Sequence, residues 1–345
     1  MKKILILLLL AAAAVSVSCA REGSSDSTEL QAEALAAYMQ KYHPDAEKTA
    51  LGVYIYPADE KAGTGDLIDK QNYIRINYTA TDRDGSFKLS TFEEVNRANN
   101  NYNARNYYGP EVRYRAQDNL TAGVEQLLSG EGTTLGPMRI GGTRKALIPG
   151  WLSTSNRHDT EEEYIKNEKG TTVVYSITLL DAFDDEEAWE KDSLARFIKT
   201  NYPKAVEDTS ITSGGWYYLV TKPSKDTTTL VSLGTFYCNY TLTDLSGRVI
   251  DTSVEKVARA NDLYSSSVSY EPKMINGSKD VTKITMGNSS TDVVDGFANA
   301  FLHMHPGEAG KVFFWSGLGY ASRGSGNTIP AYCPLCFEIE IVDKP

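Results

Sequence analysis

Two stretches of this 345-residue chain repeat each other in register. Asn77-Tyr78-Thr79-Ala80-Thr81-Asp82, running on to Gly85, returns as Asn239-Tyr240-Thr241-Leu242-Thr243-Asp244, running on to Gly247. Val95-Asn96-Arg97-Ala98-Asn99 returns as Val257-Ala258-Arg259-Ala260-Asn261, and both pairs are 162 positions apart. Two matches at one offset mark a duplicated unit, so the chain has to fold as one architecture built twice. The length agrees, being that of about two domains.

The duplication reaches upstream. Leu35, Tyr38, Met39 and Tyr42 stand at i, i+3, i+4 and i+7, one apolar stripe of a helix that Pro44 ends. Leu194, Phe197 and Ile198 repeat the stripe and Pro203 ends it. The acidic run 184–192 leads into the second helix, where carboxylates suit the positive end of the helix dipole. Residues 73–81 and 235–243 alternate as strands do, and apolar strands at 171–180 and 335–342 close the two copies. Strands that outnumber helices, and do not alternate with them, predict an α+β fold with antiparallel sheets.

The first residues are read as a targeting segment. Lys2 and Lys3 precede an apolar run at 4–15, too short for a permanent span, and Ser16-Val17-Ser18-Cys19 resembles a bacterial lipobox. On this reading 1–18 is a lipoprotein signal peptide, Cys19 is lipidated, and 19–29 is a flexible polar tether. An ordinary secretory signal cut near Ala20 is the other possibility. The net charge is −10, and removing Lys2 and Lys3 makes it more acidic. An acidic body argues against nucleic acid as a partner and against a basic patch for lipid headgroups, leaving the lipid anchor as the one membrane contact. The expected location is the bacterial cell envelope, facing the periplasm or the cell surface.

Residues 293–343 carry the chemistry. They read VVDGFANAFLHMHPGEAGKVFFWSGLGYASRGSGNTIPAYCPLCFEIEIVD. This is a helix of small and apolar residues, a Pro-Gly turn, a strand, a Gly-rich loop, Ile329-Pro330 and an alternating closing strand. The order resembles the C-terminal half of an FKBP-type peptidyl-prolyl cis-trans isomerase, and the resemblance is best over 215–344. It implies two tandem FKBP-like domains, each a twisted antiparallel sheet wrapped on a short helix and each preceded by an amphipathic helix. The expected division is 30–183 for the first domain with its leading helix, 184–212 for a linker helix and 213–345 for the second domain.

The resemblance also implies a cleft for proline-containing peptides or exported protein clients. Tyr240 matches the family's first-strand Tyr, and Ile250-Asp251-Thr252-Ser253 matches its F-D-S-S element with the aromatic lost and the acid kept. Val293-Val294-Asp295-Gly296-Phe297 matches V-I-x-G-W, so Phe297 would form the floor. Tyr320 matches the flap Tyr, Ile329 the late I-P pair and Phe337 the closing-strand Phe; Thr282 or Ile284 would stand where a further aromatic is expected. Such a site implies no metal and no cofactor. Tyr320, Asp251 and Tyr240 are the expected catalytic groups, and Phe297, Phe337, Val293, Val294, Ile329 and Ile250 the expected substrate-binding walls. The alternative is a non-catalytic lipoprotein that uses the fold as a protein-binding scaffold.

The first copy departs further. Tyr78 is kept, but Leu89 stands where Asp251 stands, Val124 where Phe297 stands and Ser153 where Tyr320 stands; Tyr175 takes the place of the closing Phe. It reads as degenerate. Insertions follow the first strand pair in each copy, at 93–118 and 255–280. The tyrosines of the first, Tyr102, Tyr107, Tyr108 and Tyr114, would either pack it onto its own domain or offer a binding surface.

Among the cysteines, Cys333-x-x-Cys336 lacks the helix start of a redox motif. If Tyr240 and Phe337 both face the cleft, period two puts Cys238 and Cys333 on that side and Cys336 on the other. A Cys238–Cys333 disulfide is then more plausible than Cys333–Cys336, with buried free thiols equally allowed. His303-x-His305 reads as a solvated helix end rather than a metal site.

Overall fold

The computed structural model describes residues 27–117, 119–288 and 291–345. Cys19 and the signal peptide 1–18 lie outside the described residues, as does most of the stretch read as a tether. That stretch is shorter than 19–29, because helix α1 (Ser27–Tyr42) already begins at Ser27. Leu35 and Met39 of its stripe are buried, while Tyr42 is exposed and carries Lys41 over its ring. Among the described residues no helix is long and apolar enough to cross a membrane.

The first sheet contains β1 (Glu47–Lys48), β2 (Tyr54–Ile55), β3 (Tyr73–Thr81), β4 (Phe87–Ser90), β5 (Glu111–Tyr114), β6 (Thr143–Ile148) and β7 (Val173–Phe183). Their order is β1-β2-β6-β7-β3-β4, with β5 also on β3. The second contains β8 (Val206–Glu207), β9 (Trp216–Lys222), β10 (Thr235–Asp244), β11 (Val249–Thr252), β12 (Lys273–Asn276), β13 (Thr285–Met286), β14 (Thr291–Asp292), β15 (Ala309–Phe314) and β16 (Leu335–Val342). Its order is β8-β9-β15-β16-β10-β11, with β12 also on β10 and followed by β13 and β14. The seven strands of the first sheet each have a counterpart in the second, which adds β13 and β14 beyond β12. The duplication read from two short matches is therefore a duplication of the whole seven-stranded sheet, in two α+β copies.

The helices after the first strand pair and at the centre of each copy occupy equivalent places. In the first copy these are α2 (Glu93–Ala98) and α3 (Ala122–Ser129), followed by α4 (Glu161–Asn167), which has no counterpart among the described residues of the second copy. Then come α5 (Glu186–Asn201), α6 (Glu255–Ala260) and the two turns α7 (Asp295–Ala298) and α8 (Ala300–His303). Helix α5 is capped by Asp185, whose side chain accepts from the Ala188 N–H (3.0 Å). Leu194 and Ile198 pack on the outer face of the second sheet against Tyr217, Phe313 and Cys336. The inner face (Trp216, Val312, Phe314, Leu335, Phe337, Ile339) packs on Phe297, Ala298, Ala300 and Phe301 of α7 and α8. Period two in β15 and β16 produces this division.

A close approach fixes each central helix to its sheet. A Cβ on Gly296 would stand 2.3 Å from the Phe314 ring, and one on Gly123 would stand 2.2 Å from Ile148 Cγ2. Ile148 and Phe314 each end the equivalent strand, β6 or β15. Only hydrogen fits there.

The insertions are twins as well. Arg97 pairs with Glu93 (2.7 Å) and lies over the Tyr102 ring at 3.3 Å, and Tyr102 stacks on Tyr108. Arg259 pairs with Glu255 (2.7 Å) and lies over Tyr264 at 3.4 Å, and Tyr264 stacks on Tyr270. Tyr102 and Tyr108, like Tyr264 and Tyr270, thus pack the insertion itself, whereas Tyr107 lies under Arg248 and Tyr114 against Tyr73. By compactness, however, the chain divides across the repeat. One unit is 1–69, 80–88 and 117–177, and the other is 70–79, 89–116 and 178–345.

Candidate active site

β10 and β11 build the polar wall. Their register sets Leu242 opposite Asp251 and Thr241 opposite Thr252. The Thr241 and Thr252 hydroxyls meet at 2.9 Å, and the Ser253 hydroxyl accepts from the Tyr240 N–H at 3.0 Å, which fixes the strand pair just beyond Asp251. Tyr240 then donates its hydroxyl to Asp251 Oδ2 at 2.6 Å, and Asp251 Oδ1 accepts from the Thr252 N–H at 2.9 Å. Burial, and then the Asp251 carboxylate, hold the Tyr240 hydroxyl well above the usual phenol range.

Aromatic rings make the floor. Phe297 meets Phe337 at 4.4 Å between centroids and Tyr240 at 5.8 Å edge-on, and Tyr240 meets Phe337 at 5.9 Å. Phe297, Phe337, Ile250 and Ile329 are buried in this cluster, and Val293, Val294 and Tyr320 pack half-buried against it. The start of α7, next to Val293 and Val294, is held by the fully buried Trp216, whose Nε1 donates to Gly296 O at 2.9 Å. All nine residues read as site candidates in the second copy are therefore brought into one cluster. Of the two candidates for the remaining wall, Ile284 is buried in it and Thr282 is exposed, its hydroxyl bonded to Asp280.

Tyr320 arrives on a loop. The turn Ser316–Leu318 closes with Gly319 N–H on Ser316 O (2.8 Å), and Tyr320 follows. Its hydroxyl is raised by burial and by Asp251, and it makes no hydrogen bond to another described residue. Further on, Arg248 bonds Asp244 (3.0 Å) and donates to Thr328 O (2.6 Å), holding the segment before Ile329. Within the same compact unit the Tyr107 N–H donates to Asn327 O (2.7 Å).

Of the two alternatives open at the cysteines, the structure has the free thiols. Cys238, Cys333 and Cys336 are all free and buried, with no Cys238–Cys333 disulfide. The sidedness was as expected: Cys238 and Cys333 belong to the inner core and Cys336 to the outer one. Burial pushes each thiol up to about 12. His303 and His305 are engaged separately, His303 with Asp208 (3.0 Å) and Asn299 O (3.0 Å), and His305 with Thr228 O (3.0 Å).

In the first copy Tyr78 takes a different partner. With Leu89 at the position of Asp251, its hydroxyl donates to Glu111 Oε2 (3.2 Å), and Arg113, paired with Glu111, donates to it at 3.4 Å. Burial, with Glu111 second, pushes it up to about 12. Strands β6 and β15 and the turns after them align Thr154, one residue beyond Ser153, with Tyr320.

Residues 235–342 match the family of FKBP-type peptidyl-prolyl cis-trans isomerases. FK506-binding protein 2 of Kluyveromyces lactis is 42% identical over 53 residues, which is 15% of this chain and 38% of that protein, little more than a third of its length. The crystal structure of a peptidyl-prolyl cis-trans isomerase from Pseudomonas syringae pv. tomato covers 47% of this chain and 97% of its own at 18% identity, with a TM-score of 0.31. That of FkpA from Escherichia coli covers 46% and 59% at 21% identity, with a TM-score of 0.32.

Proposed function

With residues 235–342 belonging to the FKBP-type peptidyl-prolyl cis-trans isomerase family, we propose that the second copy catalyses cis-trans isomerisation of X-Pro bonds in exported polypeptides. The observation that carries this is the Tyr240–Asp251 hydrogen bond standing over the Phe297–Phe337 floor, with the free Tyr320 hydroxyl beside it. Twisting an X-Pro amide costs roughly 18–20 kcal/mol, because the twisted bond loses its resonance. The twisted amide is less polar than the planar one, so an apolar, aromatic cleft favours it. Tyr320 donates to the substrate carbonyl and holds it while the prolyl nitrogen turns. Asp251, oriented by Tyr240, completes the polar wall. No bond is made or broken, so no nucleophile is required.

The first copy serves binding rather than catalysis in this reading. The Glu111–Arg113 pair on Tyr78 supports it, since that pair occupies the hydroxyl that faces Asp251 in the second copy. We further place the protein in the bacterial envelope, anchored by a lipid on Cys19. Cys19→Ser should release it from the membrane fraction.

The catalytic test is isomerisation of an X-Pro tetrapeptide by the full chain, with Tyr320→Ala and Phe297→Ala beside it. A rate above background in the parent, reduced at least tenfold in both variants, is expected. A parent at background rate would favour a non-catalytic scaffold.

A further inference from the structure

Glu190 is a carboxylate in an unusual place. It lies on the helix that precedes the second copy, and no part of it reaches solvent (0% exposed). An ionised carboxylate buried this way is costly unless donors are fixed around it. Two are, and both belong to Ser316: its backbone N–H reaches Oε1 at 2.5 Å and its hydroxyl reaches Oε2 at 2.7 Å. Ser316 opens the turn that closes on Gly319, and Tyr320 is the next residue.

The first copy shows what is missing without the clamp. Its leading helix buries Leu35 and Met39 as α5 buries Leu194 and Ile198, which sets Gln31 at the position of Glu190. Gln31 is exposed. Gly150 stands at the position of Ser316, and its N–H goes instead to the Thr172 hydroxyl (3.2 Å). The clamp is therefore present only in the copy that keeps Asp251, Phe297 and the flap tyrosine.

We propose that Glu190 is a positioning residue for the isomerase cleft: by gripping both donors of Ser316 it fixes the loop that presents the Tyr320 hydroxyl. This rests on reading the cleft as an isomerase site. Burial raises the Glu190 carboxyl to about 7, with the Ser316 bonds opposing. The titratable and charged groups around it are Glu186 one turn earlier, the Cys333 thiol, Asp244 with its partner Arg248, and Arg75 lining the same cavity. Ionisation makes its bonds to Ser316 charge-assisted and stronger, so the grip tightens as pH rises through neutrality.

The test uses the full chain with Glu190→Ala, Glu190→Gln and Ser316→Ala, reading kcat/KM on an X-Pro peptide from pH 5.5 to 8.5 and amide hydrogen exchange over 316–324. In the parent, kcat/KM should rise through about pH 7. Glu190→Gln should keep activity within a few-fold but lose that rise. Glu190→Ala should lose tenfold or more in kcat/KM and at least tenfold in protection over 316–324, while 335–342 stays protected. If Glu190→Ala does not fold, Ser316→Ala, which removes only the hydroxyl bond, should still show a smaller loss of both. Parent-like protection over 316–324 in every folded variant overturns the proposal. A pH rise that survives in Glu190→Gln also overturns it. A parent without isomerase activity rejects the cleft reading instead, and the exchange data then decide alone whether Glu190 holds the loop.

Discussion

Asp251 is the side chain at which the two copies part. Its counterpart Leu89 cannot accept from a tyrosine, and Tyr78 turns to Glu111 and Arg113. Asp251→Leu should therefore lower kcat/KM at least tenfold. It should also destabilise by about 1–3 kcal/mol, because the buried Tyr240 hydroxyl keeps its desolvation cost without its acceptor. Tyr240→Phe, which removes the donor instead, should cost less, and urea denaturation of both variants separates the two terms. A midpoint shift no larger for Asp251→Leu than for Tyr240→Phe would count against this account. Tyr240 and Asp251 were legible in the sequence through the family resemblance, which a local strand and hairpin pattern carries. Ile284 was not separable from Thr282, since which of two nearby side chains turns inward depends on the short turn at Val281–Lys283.

The central helix and the strand behind it work as a pair. Gly296 presses on Phe314 and Gly123 on Ile148, and in neither copy does a methyl group fit. Gly296→Ala must displace the helix start or the ring. The expected loss is about 1–3 kcal/mol or more, read as a lower urea midpoint, and an unchanged midpoint would show that the helix can shift freely. At this scale the long first and closing strands of each copy and both leading helices were legible from periodicity, and most of the short strands were not. The equivalence of the insertions is carried by the sequence as well, in Tyr102 and Tyr264, Tyr108 and Tyr270, and Pro110 and Pro272 at the same offset of 162. The flap register was not legible, because the offset between copies has changed to 166 by β6 and β15, and Ser153 is consequently one residue from the true counterpart of Tyr320.

Across the whole molecule, stability and the proposed activity have opposite pH dependence. Glu190 has its folded pKa raised from 4.5 to about 7, so its contribution is fully present below the unfolded value and is lost as pH rises through 7, a loss on the order of 3 kcal/mol. Carboxylates held low, such as Asp208 bonded to Ser210 and His303 and Glu168 bonded to His158, act in the other direction and lose their contribution as pH falls. Melting temperature should decline from pH 5 to 8 in the parent and much less in Glu190→Gln, and equal slopes would refute the assignment. The Glu190–Ser316 pair joins positions 126 apart, a contact that no local pattern announces. The compact division, likewise, cannot be read from the repeat, since it gives 70–79 and 89–116 to the later body. The three buried thiols have a use that follows from where they are. Among the described residues every cysteine lies in the second copy, and none is ionised or accessible while that copy is closed. An alkylating reagent therefore acts as a clock on the opening of the compact body that holds them, 70–79, 89–116 and 178–345.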